Sequence, residues 1–135
     1  MSKGAVILQL REKETTTTIK EVTPSGVQLE VNLKGEVKGK FNAAHLETLS
    51  VLMKSDGTRK WEAKAIEVTA EGDHVIVMME GTARQESPTG ITFEGEASFQ
   101  TTSKKLAWLN TTKGLIDGTN DMSTGKATGK IYTKN

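Results

Sequence analysis

The side chains best suited to chemistry in this 135-residue chain are few and scattered. Its two histidines, His45 and His74, have no partner histidine and no carboxylate at a metal-ligand spacing on a predicted shared face, so the sequence predicts no metal site. His74 follows the turn signal Gly72–Asp73 and is expected in solvent. His45 is expected near a strand end at a barrel mouth, in a structural or surface role.

Three glutamates on neighbouring predicted strands are the next candidates, because paired carboxylates perform acid–base chemistry when burial separates their pKa values. Glu94 and Glu96 alternate with Phe93 and therefore face outward. Glu80 is in phase with Met78, which is also assigned to the outer face. The sequence therefore predicts cross-strand pairing for these carboxylates and no catalytic residue, and it leaves enzymatic activity open while favouring its absence.

Composition excludes several function classes. The chain has no cysteine, which excludes disulfides, thiolate catalysis and cysteine-ligated metals. Its 18 basic and 17 acidic residues are interspersed, so no basic stripe is present to bind nucleic acid. No apolar run reaches the roughly 18 residues of a membrane span, and Val6–Leu10 is too short for a signal-peptide core. We expect a cytoplasmic protein without a cofactor.

The elements that position these residues are strands. From Val27 to Phe41, apolar residues and glycines occupy the odd positions and polar residues the even ones, and Ile91–Gln100 repeats the alternation. A period of two predicts strands with one buried face. Glycines on that face favour a strongly curved sheet that closes into a barrel. Turn signals divide the chain into the candidate strands Ala5–Lys13, Thr15–Val22, Val27–Phe41, Leu46–Lys54, Arg59–Thr69, His74–Glu86, Ile91–Thr102, Lys105–Ile116 and Lys126–Thr133. The first two are compatible with one long kinked strand, and Asn42–Leu49 is the best candidate for a helical turn.

Two segments, Leu49–Met53 and Val75–Met79, are apolar on both faces. A barrel covers only the inner face, so Leu52, Ile76 and Met78 predict an interface between copies of the chain. The apolar phase also shifts between Ala65 and Ile66, which predicts a β-bulge.

A ligand site is predicted from strand phase alone. If Trp108 points into the barrel lumen, Asn110 does so too, and an amide beside an indole would orient a ligand in an apolar pocket. The alternative is a lumen filled by side chains, since eight strands leave little more room than that. The predicted lining residues are Trp61, Met79, Phe93, Phe99, Trp108, Asn110 and Tyr132.

The spacing of glycines and aromatic residues between Val27 and Tyr132 resembles a known group of barrels. The matching positions are Gly35, Gly39, Gly81, Phe93, Gly95, Phe99, Asn110, Gly114, Gly118, Gly125, Gly129 and Tyr132. The pattern is similar to the small barrels grouped with allene oxide cyclase and the dirigent proteins, and most of all to an uncharacterised bacterial and archaeal branch. This resemblance implies an eight-stranded antiparallel barrel, often oligomeric, with an apolar lumen. No catalytic residue carries over.

These observations predict an all-β protein whose residues 1–135 form a single eight-stranded antiparallel β-barrel of the allene-oxide-cyclase-like kind, with a β-sandwich as the alternative. The leading functional hypothesis is a barrel that binds an apolar small molecule in its lumen or mouth without catalysis. The second is a cyclase or isomerase acting on a reactive apolar substrate, marked by a buried lumenal group with a shifted pKa. The third is a structural oligomer with a filled core.

Overall fold

A computed structural model of the chain describes residues 2–135 and shows a closed barrel of eight antiparallel strands. Each strand pairs with its neighbours in the chain, and the first strand pairs with the last. The predicted barrel is therefore confirmed, and the β-sandwich alternative is wrong because no break divides this sheet, within residues 2–135, into two layers. The elements are β1 (Lys3–Thr23), β2 (Gly26–Gly39), β3 (Ala43–Lys54), β4 (Thr58–Val68), β5 (His74–Gln85), β6 (Gly90–Thr101), a short 3-10 helix (Ala107–Thr111), β7 (Lys113–Asp121) and β8 (Lys126–Lys134).

Alternation along the strands separates the two faces of the sheet. In β5, Val75, Val77 and Met79 are buried in the barrel, whereas Ile76 and Met78 are exposed outside it. The segment is apolar on both faces, as the sequence indicates, and its inner half belongs to the core.

The irregular pairing lies elsewhere than predicted. Strand β1 runs unbroken through both of its predicted halves, with register shifts against β2 at Glu14/Thr16 and Ile19/Glu21. The bulge predicted between Ala65 and Ile66 is wrong, because residues 58–68 pair with β3 and β5 without a register shift. Ile66 is simply an outward residue of an evenly alternating strand.

Two predicted boundaries also change. Residues 105–112 are not strand, because Leu106 and Leu109 are both buried and their spacing of three suits a 3-10 turn. The helical turn predicted over Asn42–Leu49 is wrong as well, since all but the first residue lie in β3. This reassignment matters for function because it places His45 on the inward face of β3, where it is buried.

The two ends of the barrel differ. The end that holds the 3-10 helix is packed with apolar side chains, and the other end carries the hairpin turns after β1, β3, β5 and β7. We call the end with the 3-10 helix the closed end and the end with these hairpin turns the open end. The closed end is filled by Ile7, Leu8, Val37, Val75, Val77, Phe99, Leu106 and Leu109.

Glycine permits close packing inside the open half. A Cβ atom on Gly118 would lie 2.1 Å from the Thr128 carbonyl oxygen and 2.5 Å from Cζ of Phe93, and one on Gly129 would lie 3.3 Å from the same ring atom. The Phe93 ring therefore occupies space that is free only because residues 118 and 129 are glycines.

The described residues contain no helix long and apolar enough to cross a membrane.

Candidate functional site

Four ionisable side chains are buried inside the barrel, and they form one cluster. Among residues 2–135 the buried polar or charged residues are Glu12, His45, Glu47 and Glu67, exposed by 8%, 4%, 6% and 1%. They come from β1, β3 and β4. Charged groups are rarely buried unless they are paired, so their assembly at one place requires an explanation.

Strand register brings these residues together. Gly35 of β2 lies opposite Glu12 on one side and His45 on the other, and His45 lies opposite Glu67. Because Gly35 has no side chain, the imidazole reaches across β2 toward Glu12. A Cβ atom at Gly35 would lie 1.9 Å from the Arg11 carbonyl oxygen, so β1 and β2 are too close there for any larger residue.

Both ring nitrogens of His45 hydrogen-bond to carboxylates. Nδ1 lies 2.8 and 2.7 Å from the two oxygens of Glu67, and Nε2 lies 2.8 Å from Oε1 of Glu47. Oε1 of Glu12 is 3.4 Å from Nε2 and has no hydrogen-bond partner among the described residues. A protonated imidazole has only two N–H donors, so the third carboxylate remains without one.

The pKa values follow from burial and from these contacts. Burial alone would lower the pKa of His45, but the carboxylates of Glu12, Glu47 and Glu67 raise it to about 12, so the ring is an imidazolium at neutral pH. Burial raises the pKa of Glu12 to about 7, against the opposing effect of His45. Burial likewise raises the pKa of Glu67.

A cavity of about 230 Å³ lies on the open side of this cluster. Glu12 and Glu47 contribute to its inner end, and Glu14, Thr17, Arg59 and Asn120 provide the other polar groups of its wall. The apolar lining consists of Leu10, Leu29, Val31, Leu33, Leu49, Val51, Met53, Trp61, Met79, Ala83, Ile91, Phe93, Ile116, Met122 and Ala127. An apolar pocket with a few polar groups at one end is the usual form of a small-molecule site.

Three of the predicted lining residues meet at this cavity. Trp61, Met79 and Phe93 all line it. The rings of Trp61 and Phe93 pack edge to face, with centroids 6.1 Å apart and planes at 89°. Nε1 of Trp61 donates to the Thr82 carbonyl oxygen at 3.1 Å, which fixes the indole against the wall.

The other four predicted lining residues lie elsewhere. Phe99 is buried in the closed half. Trp108 is 41% exposed because it belongs to the 3-10 helix, so its predicted orientation into the lumen is wrong. The amide of Asn110 pairs with the Thr101 backbone, donating to O and accepting from N at 3.0 and 2.8 Å. Tyr132 is out of phase with inward Ile131, and Nζ of Lys3 lies 5.0 Å from its ring centroid.

The expectation that His45 has no carboxylate at ligand spacing is also wrong. Glu47 follows two residues later on the same strand face, and Glu12, His45 and Glu47 each offer an atom within 4.8 Å of the others. Three such residues could share a cation. Here, however, both nitrogens of His45 are engaged as hydrogen-bond donors, whereas a metal requires a neutral ring with one nitrogen free.

The predicted interface residues occupy two separate places. Ile76 and Met78 are exposed by 38% and 51%, and the neighbouring outward positions on β3 and β4 are Leu46 and Ile66. Leu52 lies six residues beyond Leu46 on β3, roughly 20 Å away at about 3.3 Å per residue, beside Lys60. We call Leu46, Ile66, Ile76 and Met78 the outer apolar patch.

Solved structures of other proteins have barrels of the same shape. A protein of unknown function from Clostridium acetobutylicum ATCC 824 matches with a TM-score of 0.86 and 15% identity, covering 100% of both chains. A β-barrel-like protein from Acinetobacter baumannii AYE gives a TM-score of 0.78 and 15% identity, covering 96% of this chain and 93% of its own. An enzyme from Penicillium herquei gives 0.68 and 16%, covering 99% and 97%. No protein-family model and no curated protein matches the sequence. At these identities the likeness concerns the fold alone.

The raised pKa of Glu12 leads to a prediction about stability. Between its ordinary pKa of 4.5 and its folded value of about 7, the folded state holds a proton that the unfolded chain has released. The free energy of unfolding should therefore fall as pH rises from about 5 to about 8, with Glu12 accounting for up to about 3 kcal/mol. His45, whose folded pKa is raised, contributes a slope of the same sign above pH 6.5. In Glu12→Gln the curve measured by urea unfolding should be flatter.

The control for this measurement is Glu14→Gln, which alters an exposed carboxylate two residues away on the same strand. Its curve should run parallel to that of the wild type. Parallel curves for the wild type and Glu12→Gln would show that folding leaves the pKa of Glu12 unchanged, which would contradict the raised value.

Proposed function

We propose that this barrel binds a small, largely apolar molecule in the cavity at its open end. The observation that carries the proposal is the cavity itself, about 230 Å³ of space lined mainly by apolar side chains above a buried ionic cluster. In a barrel of eight strands, side chains are able to fill the lumen completely. The closed half is filled in this way, which makes the unfilled open half informative.

The rigidity of the wall supports the same function. Trp61 is held by its hydrogen bond to Thr82 and by the edge of Phe93, and Phe93 rests on Gly118 and Gly129. A pocket with fixed aromatic walls loses little conformational freedom when it is occupied. The resemblance to the allene oxide cyclase and dirigent group, which implies an apolar lumen, is compatible with this proposal. The cysteine-free composition is compatible with a cytoplasmic setting.

A second candidate function is isomerisation or cyclisation of the bound molecule by proton transfer. It is favoured by Glu12, a buried carboxyl at the inner end of the cavity whose pKa of about 7 lets it give or take a proton near neutral pH. The His45 imidazolium, which donates to Glu47, would supply the positive charge beside the ionised form of Glu12. The Penicillium herquei neighbour, described as an enzyme, is an example of catalysis by a similar barrel.

We further propose that the outer apolar patch joins two copies of the chain. Its members are adjacent in register, since Leu46 pairs with Ile66 and Ile66 pairs with Ile76. A contiguous exposed apolar surface of this kind is uncommon on monomers. A twofold dimer would place the same patch on both sides of the contact.

Binding can be tested by filling the cavity. Leu49→Trp places a larger side chain in the cavity wall, so we expect it to abolish the contact with toluene that ligand-observed saturation-transfer NMR detects in the wild type. Leu52→Trp makes the same change on the outer face of β3 and should leave toluene binding intact. Equal toluene signals from both variants, or no signal from the wild type, would contradict lumenal binding.

Proton transfer can be tested with a small neutral ketone. The wild-type protein should convert 3-cyclohexen-1-one to its conjugated isomer in D₂O, followed by proton NMR, and Glu12→Gln should lower the rate by about a hundredfold or more. Glu36→Gln, which alters an exposed carboxylate on the outer face of β2, should retain the wild-type rate. Equal rates with Glu12→Gln and the wild type would exclude Glu12 as the proton-transfer group.

The dimer can be tested by adding charge to the patch. Analytical ultracentrifugation should show a wild-type dimer and a folded monomer for the double variant Ile76→Lys, Met78→Lys, because two buried lysines would oppose association. Thr82→Lys, an outward position further along β5, should remain dimeric. A monomeric wild type would refute the proposal.

A further inference from the structure

The buried cluster is short of one positive charge. Three glutamates surround a single histidine, and among the described residues no lysine or arginine forms a salt bridge with any of the four. With every group ionised the cluster carries two net negative charges, and with Glu12 protonated it carries one. A buried negative charge without a partner is costly, and a bound cation would offset that cost.

The hydrogen bonds show that the cluster also lacks one donor, and that the missing donor is at Glu12. The two donors of His45 are directed to Glu67 and Glu47. Glu12 is more than nine-tenths buried, and its Oε1 atom has no hydrogen-bond partner among residues 2–135. A buried acceptor without a donor has given up its hydrogen bonds to water and gained none in return, so it favours any ligand that brings an N–H group.

The polar groups of the cavity give a ligand one orientation. Glu12 and Glu47 are at its inner end, next to the imidazolium, and Arg59 is near the β3–β4 turn at the open end. The wall between them is apolar and includes Trp61 and Phe93. A molecule with a cationic head and an apolar body would therefore enter with its head inward.

We propose that the ligand is a small primary amine, whose ammonium group donates hydrogen bonds to Glu12 and Glu47 while its apolar body contacts Trp61. This inference rests on the proposed binding function and specifies its ligand class. An ammonium group fits better than a metal ion because His45 already donates from both ring nitrogens. A carboxylate ligand is disfavoured because its charge would approach two glutamates.

The test is a series of probes that share a benzene ring and one further carbon atom but carry a positive, a neutral or a negative polar group. Benzylamine, benzyl alcohol and benzoate are titrated at pH 7 into the Trp108→Phe protein, in which Trp61 is the remaining indole and reports on the cavity by fluorescence. We expect benzylamine to bind at least about tenfold more tightly than benzyl alcohol, and benzoate more weakly than either. Glu12→Gln should remove the preference for the amine. Glu36→Gln, which alters an exposed carboxylate on the outer face of β2, should keep it.

A measurement on the unsubstituted protein guards against a variant that fails to fold. Calorimetry of benzylamine binding at pH 7, repeated in buffers of different ionisation enthalpy, should show proton release, because the ammonium favours the ionised form of Glu12. The titratable groups near the head are His45, Glu47 and Glu67, with Glu14 and Arg59 farther out along the cavity.

The outcomes separate this inference from the function on which it rests. If the alcohol binds as well as the amine, the amine proposal fails and lumenal binding stands. If none of the three probes binds, the proposed binding function fails. If Zn²⁺ binds stoichiometrically in the wild type but not in Glu12→Gln, and no amine preference is seen, the site belongs to a metal ion and the amine proposal is overturned.

Discussion

The interior of this barrel is organised around one buried imidazolium. His45 holds Glu67 through Nδ1 and Glu47 through Nε2, at hydrogen-bond distances of 2.7 to 2.8 Å. Charge-assisted bonds of this kind are worth roughly 1.5–3 kcal/mol each, whereas loss of one partner from a buried ion pair costs roughly 3–5 kcal/mol. The histidine therefore has to be present for the glutamates to be buried, and its position requires β1, β3 and β4 to keep one register.

That register depends in turn on a residue without a side chain. Gly35 lies between Glu12 and His45 in the ladder, and β1 approaches it so closely that a Cβ atom would meet backbone. The same device recurs at Gly118 and Gly129, where it makes room for Phe93. Glycines on the inner face thus both curve the sheet and admit the side chains of the site.

How far the sequence predicts this arrangement depends on whether a residue follows the simple rule of strand phase. The rule places Val75 inside and Ile76 outside correctly, and it predicts the closed barrel. The same rule also places ionisable residues on the inner face of two strands. Glu67 is in phase with Trp61 on β4, and His45 is in phase with Glu47 on β3. Because charged residues usually face water, Glu67 is expected on the outside, and that expectation leads to the incorrect prediction of a bulge between Ala65 and Ile66. Contacts between β1 and β3, across β2, arise only from three-dimensional closure and have no local signature.

The division of the barrel into a filled end and an open end explains how it tolerates such a costly cluster. The closed half, with Leu109 and Val77 fully buried, contributes apolar burial that does not depend on the site. Glu12 lies where this dry core meets the cavity. A charged molecule bound at the inner end of the cavity would change the balance between the neutral and ionised forms of Glu12. Binding of such a molecule and protonation of Glu12 would then be linked, and by reciprocity each would alter the free energy of the other.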